Sequence, residues 1–187
     1  MTKVLTVPKD TEASATKSSA TKSSATAFPF SEKIKTSGEK QSILFVCTGN
    51  TCRSPMCAAA VNGLAAYKDR FFAFSAGLSP VPGSPISENA VKALESVGIQ
   101  PSPDNDYKAH LAREVREADL ASCDLAVGLT AAHAFHLVMA FPAYAGKICS
   151  FGRDISDPFG GDEEAYRRCL SDILRGLETL LPPKETP

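Results

Sequence analysis

The chain has 187 residues, 43% apolar and 22% charged, with 20 Lys+Arg against 21 Asp+Glu and a formal net charge of -1. That balance fits one soluble globular domain and excludes a collagen-like chain, a solenoid or an acidic disordered polymer. It offers nothing to nucleic acid or an anionic membrane; no apolar run nears the roughly 20 residues needed to cross a bilayer, so neither partner is expected.

Residues 1–40 differ from the rest. The pentapeptide ATKSS occurs at Ala15–Ser19 and again at Ala20–Ser24. Ser, Thr, Ala and Lys bury too little apolar surface to offset an ordering cost of roughly 1–2 kcal/mol per residue, which predicts a disordered extension. The segment holds seven lysines and four acidic residues, +3, leaving 13 basic and 17 acidic residues in the remainder, -4. It has acids and no Arg, unlike a transit peptide, and Val4–Val7 is too short for a signal-peptide core, so a cytoplasmic location is expected. Phe28, Pro29 and Phe30 are its one segment suited to docking.

Strand and helix signals alternate from Gln41 onward, and residues 41–187 read as the folded domain. Ser42–Val46 is a continuous apolar run of the kind found in a strand buried on both faces. Ser54-Pro55 opens a helix, with Ser as its cap and Pro in the first turn, continuing over Met56–Lys68. Phe71–Ser75 is the second strand and Gly77–Ile86 a loop, followed by a helix over Ser87–Val97 that Gly98 closes. A short helix is predicted over Leu111–Ala121, a strand over Leu125–Val127, a helix over Ala131–Met139 and a strand over Ile148–Phe151. After the loop Asp157–Gly161, Asp162–Leu181 forms a long amphipathic helix. This alternation predicts an α/β fold: a doubly wound, four-stranded parallel sheet with helices on both faces and its ligand site at the carboxyl ends of the strands.

Cys47, Cys52, Cys57, Cys123, Cys149 and Cys169 read as free thiols, mostly small core residues, rather than three disulfides. Cys47 opens Cys47-Thr48-Gly49-Asn50-Thr51-Cys52-Arg53-Ser54 at the junction between first strand and first helix. A loop of this length wraps backbone N–H groups around a tetrahedral dianion, Gly49 permits close approach, and the helix directs its positive end at the same point. The same field favours the Cys47 thiolate and makes it a nucleophile. Arg53 supplies a planar fork for two phosphate oxygens, Ser54 can hydrogen-bond the Cys47 sulfur, and Asn50 braces the loop. Nucleotide-binding glycine patterns are absent.

Thiolate attack on phosphorus needs an acid to protonate the leaving group and then a base to activate water. Asp157, in Asp157-Pro158-Phe159-Gly160-Gly161, is the candidate; Asp154 is a weaker rival, and Asp104 and Asp106 read as solvated loop residues. His110, His133 and His136 are scattered, read as surface or capping residues, and form no metal set. Neither a metal nor another cofactor is expected.

The run Ile43–Met56, then Ser75-Ala76-Gly77, then Ala118-Asp119-Leu120 or Cys123-Asp124-Leu125, and finally Asp157–Gly161 resembles the low-molecular-weight protein tyrosine phosphatases over about residues 42–181. The resemblance implies a phosphocysteine on Cys47, Arg53 as phosphate clamp, and Asp157 as general acid and then base. The first 40 residues lie outside it, as that family normally lacks them. In that family the residue before the second loop cysteine sorts substrates, aliphatic in phosphotyrosine enzymes and threonine in bacterial protein arginine phosphatases. Thr51, Phe159 and the glycines after it resemble the arginine branch, which favours phosphoarginine over phosphotyrosine as the protein-borne substrate. In the other reading, Thr51 merely fills space in an ordinary tyrosine phosphatase.

Gly128-Leu129-Thr130 departs from the family, which commonly has methionine second. The Cys47 and Cys52 pair resembles a reversible disulfide that protects the nucleophile. Thiol-linked arsenate reduction is a rival, although Thr130 stands where that branch places a redox cysteine. A non-catalytic phosphoresidue-binding module is another, although Cys47 and Asp157 both remain. A monomer is expected.

Overall fold

The computed structural model describes residues 39–181. The expected disorder of residues 1–40 and docking at Phe28–Phe30 fall, apart from Glu39 and Lys40, outside the described residues. Four strands, β1 (Gln41–Cys47), β2 (Phe71–Gly77), β3 (Leu125–Gly128) and β4 (Ile148–Ser150), form one sheet in the order β2-β1-β3-β4. Every pairing is parallel, with Cys47 opposite Gly77 on one side of β1 and Val46 opposite Gly128 on the other.

Both faces of β1 are buried, and alternation along it sorts the helices. Ile43, Phe45 and Cys47 pack into one cluster with α1 (Arg53–Gly63), α2 (Glu88–Ser96) and α5 (Glu163–Leu180). Leu44 and Val46 face the other cluster, which contains Leu120 of α3 (Glu117–Ser122) and Leu137 of α4 (Ala131–Ala140). A strand covered on both sides has no solvent face to keep polar, which is why β1 reads as an unbroken apolar run. From β1 the chain goes first to β2 on one side and later to β3 on the other; such a switch leaves a crevice beyond the strand ends. No helix among the described residues is long and apolar enough to cross a membrane.

Four local details differ from the sequence expectation. The helix predicted over Leu111–Ala121 is shortened to α3, because residues 111–115 run extended. Leu111 bridges Pro85, Glu114 bridges Gly77, and the Ala112 and Val115 amides donate to Ser84 and Gly77 carbonyls. α1 stops at Gly63 rather than Lys68: Asn62 turns its amide onto β2, donating to the Ala73 carbonyl and accepting from the Ala73 amide, both at 2.8 Å. Ser54 lies inside α1, whose cap is Cys52 without a side-chain cap bond. Ser87 does cap α2 in position, yet its hydroxyl donates to Tyr166 Oη at 3.0 Å instead of to the helix.

Candidate active site

The loop from Cys47 to Arg53 closes over the end of β1 because β2 makes room for it. A Cβ on Gly77 would sit 2.7 Å from the Thr48 carbonyl oxygen, so only glycine fits there. In its place the Leu78 and Ser79 amides donate to the Cys47 and Thr48 carbonyls at 2.9 and 3.0 Å, and the Ser87 amide donates to Thr51. The cradle is thereby held from outside, leaving its inner amides free to face a ligand.

Asn50 is the keystone of the loop. It is fully buried and has φ of 56°, the left-handed conformation that asparagine tolerates better than most side chains. Every polar group it carries is used. Its amide N–H donates to Cys47 Sγ at 3.3 Å, and its Nδ2 donates to Ser54 Oγ and Ser75 Oγ, both at 2.9 Å. Its Oδ1 accepts from the Arg113 amide at 3.0 Å, and its carbonyl accepts from His110 Nε2 at 2.8 Å. Ser54 Oγ in turn lies 3.1 Å from Cys47 Sγ and 3.4 Å from the Ala76 carbonyl, so beside the Asn50 amide the buried sulfur has a hydroxyl that can turn to donate to it.

Arg53 is 5% exposed and lies across the cradle from the strand end. Its guanidinium pairs with the Asp157 carboxylate through Nη2 and donates through Nη1 to the Ile155 carbonyl at 3.2 Å. Its buried Nε–H has no partner among the described residues, which leaves a donor for an anion. Asp157 is held differently. Its side chain is 48% exposed, and its other oxygen accepts from the Phe159 amide at 3.1 Å, a local turn that any Asp-Pro loop can make. Cys47, Thr48, Gly49, Asn50, Thr51, Cys52, Arg53, Asp157 and Phe159 together line a cleft of about 490 Å³, whose mouth also carries Val81 and Pro85.

The predicted residues therefore come together, with two qualifications. Asp154, the rival acid, is outside the cleft lining and accepts the Ala131 amide at the start of α4 at 2.7 Å. Cys52 Sγ lies 3.3 Å from Tyr166 Oη and 3.5 Å from Thr51 Oγ1, and burial pushes its thiol up. No group of three or more His, Cys, Asp or Glu side chains among the described residues is arranged to hold a metal.

Sequence reasoning missed the support residues. Of the histidines read as surface or capping residues, half-buried His110 holds the Asn50 carbonyl, and His133 joins the α4 cap as that reading allowed but is buried, with Nε2 3.0 Å from Thr48 Oγ1 and Nδ1 2.9 Å from Thr130 Oγ1. Burial first, and then the Arg53 charge, push His133 down to about 4, so its ring is neutral at ordinary pH; His110 is lowered for the same leading reason. Tyr166, whose hydroxyl joins Cys52 to Ser87, is pushed up to about 12 by burial. No sequence signal marked these three, whereas Ser75-Ala76-Gly77 did mark two other supports, Ser75 and Gly77 at the end of β2.

Residues 42–186 match the model of the low molecular weight phosphotyrosine protein phosphatases. The chain belongs to this family. Its relatives include a protein-arginine-phosphatase of Geobacillus stearothermophilus, 33% identical over 148 residues that span 74% of this chain and 90% of that protein. Another is a protein-arginine-phosphatase of Bacillus subtilis, 31% identical over 72% of this chain and 93% of that protein. Among solved structures, a low molecular weight protein tyrosine phosphatase from T. tengcongensis superposes with a TM-score of 0.68 at 33% identity, covering 76% of this chain and 98% of that one. The family's members are hydrolases of phosphorylated proteins, and Cys47 at the loop end of β1 fits its cysteine chemistry.

Proposed function

We propose that this phosphatase removes phosphate from arginine side chains of proteins through a phosphocysteine on Cys47. The observation that carries the substrate assignment is Thr51, half-buried in the cleft wall with a hydroxyl where an aliphatic residue would pack on a phenol ring. The names of the two arginine phosphatases that the chain resembles support it. Phe159, 77% exposed at the cleft mouth, offers a ring face on which a guanidinium can stack.

The cradle amides, the positive end of α1 and Arg53 hold the phosphoryl oxygens. In the first step the Cys47 thiolate attacks phosphorus, the P–N bond breaks, and the departing guanidino nitrogen takes the Asp157 proton. In the second step water attacks the phosphocysteine and gives a proton to the Asp157 carboxylate. The S–P bond breaks, and the returning thiolate is received by the Asn50 amide and the Ser54 hydroxyl. Binding of phosphate has to draw Arg53 away from Asp157, which frees the carboxyl group for this work. Cys52 serves as the resolving thiol when Cys47 is oxidised. The buried thiols of Cys57, Cys123 and Cys169, none of them in a disulfide, support a reducing, cytoplasmic setting, and a monomer suffices because every residue given a role here lies on one chain.

Initial rates on a phosphoarginine peptide and a phosphotyrosine peptide, side by side with Cys47→Ser as the blank, test this function. Selective, Cys47-dependent release from phosphoarginine is the expected result. A preference for phosphotyrosine makes the enzyme a tyrosine phosphatase proper, the second reading, which the name of the T. tengcongensis relative favours. No Cys47-dependent release from either substrate overturns both.

A further inference from the structure

The Thr48 side chain has no part in the chemistry above, yet it is held in a specific way. It is exposed, lines the cleft, and its Oγ1 lies 3.0 Å from Nε2 of the buried His133. The other ring nitrogen, Nδ1, lies 2.9 Å from Thr130 Oγ1, and that oxygen also accepts the His133 backbone N–H at 3.2 Å.

One tautomer uses every hydrogen of this chain. The backbone N–H can only donate, so Thr130 Oγ1 accepts there and can turn its own hydrogen toward Nδ1. In that arrangement Nδ1 is unprotonated and the neutral imidazole carries its proton on Nε2. With that tautomer Nε2–H donates to Thr48 Oγ1, which leaves the hydroxyl hydrogen of this cleft-lining residue without an acceptor among the described residues. The neutral state of the ring agrees with its burial and with the Arg53 charge nearby.

We propose that the Thr48 hydroxyl donates a hydrogen bond to a phosphoryl oxygen of the bound phosphoresidue, and that His133 is the positioning residue that orients it. This rests on the phosphatase reading of the cleft. It adds a side-chain donor of the loop to the cradle's backbone donors, oriented by a histidine of α4.

The test compares Thr48→Val, Thr48→Ser, His133→Asn, His133→Gln and the double variant Thr48→Val/His133→Asn. It measures kcat, KM and inhibition by inorganic phosphate, with thermal unfolding alongside. Gln places a donor amide where Nε2 stood, whereas Asn reaches only the Thr130 side. Thr48→Val should weaken phosphate inhibition and lower kcat/KM about tenfold, as expected for a hydrogen bond to a charged group. Thr48→Ser and His133→Gln should recover most of that loss, and His133→Asn should match Thr48→Val. The double variant should lose no more than either single one.

Losses that multiply in the double variant overturn the proposal, as does a Thr48→Val enzyme within twofold of wild type. Thr48 is exposed, so Thr48→Val decides the matter even if a His133 variant fails to fold. A wild type without Cys47-dependent turnover sinks the phosphatase reading; a normal wild type with an unaffected Thr48→Val sinks only this inference.

Discussion

The cradle and the acid loop meet in the Arg53 to Asp157 pair, yet they are built by opposite rules. In the cradle Asn50 is fully buried, makes five hydrogen bonds and reaches partners from Ser54 to Arg113. In the acid loop Asp157 is half exposed, Phe159 is 77% exposed, and Gly160 turns through φ of 79°. A phosphate site gains from donors that need no rearrangement when charge develops, whereas an acid that must release Arg53 and then serve two steps gains from freedom. On the proposed mechanism the buried, fully hydrogen-bonded side is where the dianion would sit, and the exposed side is where the proton would move.

The sharpest way to break this contrast is to substitute the two sides and ask which property falls. Cys47→Ser should remove turnover by at least about a thousandfold without unfolding the protein, because serine is a far weaker nucleophile at the same position. Asp157→Asn should lower kcat by about 10²–10⁴-fold while phosphate inhibition and the melting temperature stay near wild type, as steady-state kinetics and calorimetry would show. Asn50→Ala should instead lower both. It strands Ser75, Ser54 and the Arg113 amide, costing about 2–4 kcal/mol and roughly 10 °C in Tm. Equal losses of Tm in Asp157→Asn and Asn50→Ala would erase the distinction between a rigid side and a mobile side.

A smaller effect comes from pH. The folded-state value of His133 lies near 4, below the ordinary histidine value of about 6.5. The unfolded chain therefore binds this proton more readily, and the contribution is present above about pH 6.5 and fades as pH falls toward 4. Thermal melts at pH 7 and 4.5 should show a steeper loss in wild type than in His133→Gln, and parallel losses would remove His133 from the cradle's support. Phe159→Ala should be the mildest change, altering KM a few-fold with no shift in Tm.

How much of this was legible in the sequence follows from the range of each interaction. The cradle lies within eight consecutive residues between a doubly buried strand and a helix start, so Cys47, Arg53 and Ser54 could be assigned from local pattern. Asp157 was legible because Asp-Pro-Phe-Gly-Gly is a self-contained turn. The same local rule failed at residues 111–115, where Leu111 and Val115 have helical spacing but the backbone is taken by Pro85, Ser84 and Gly77 from a distant loop. The expectation of surface or capping histidines held only in part: His133 does join the α4 cap through Thr130, three residues away. The contacts to the cradle were hidden because Asn50 and Thr48 lie 60 and 85 residues from His110 and His133.

The most direct measurement is the ratio of kcat/KM for phosphoarginine over phosphotyrosine peptides in wild type and in Thr51→Ile. The account predicts a ratio well above one in wild type and a shift toward phosphotyrosine in Thr51→Ile, because an isoleucine removes the wall hydroxyl and packs on a phenol ring. A wild-type ratio below one, or a ratio that Thr51→Ile leaves unchanged, would contradict Thr51 as the residue that selects the substrate.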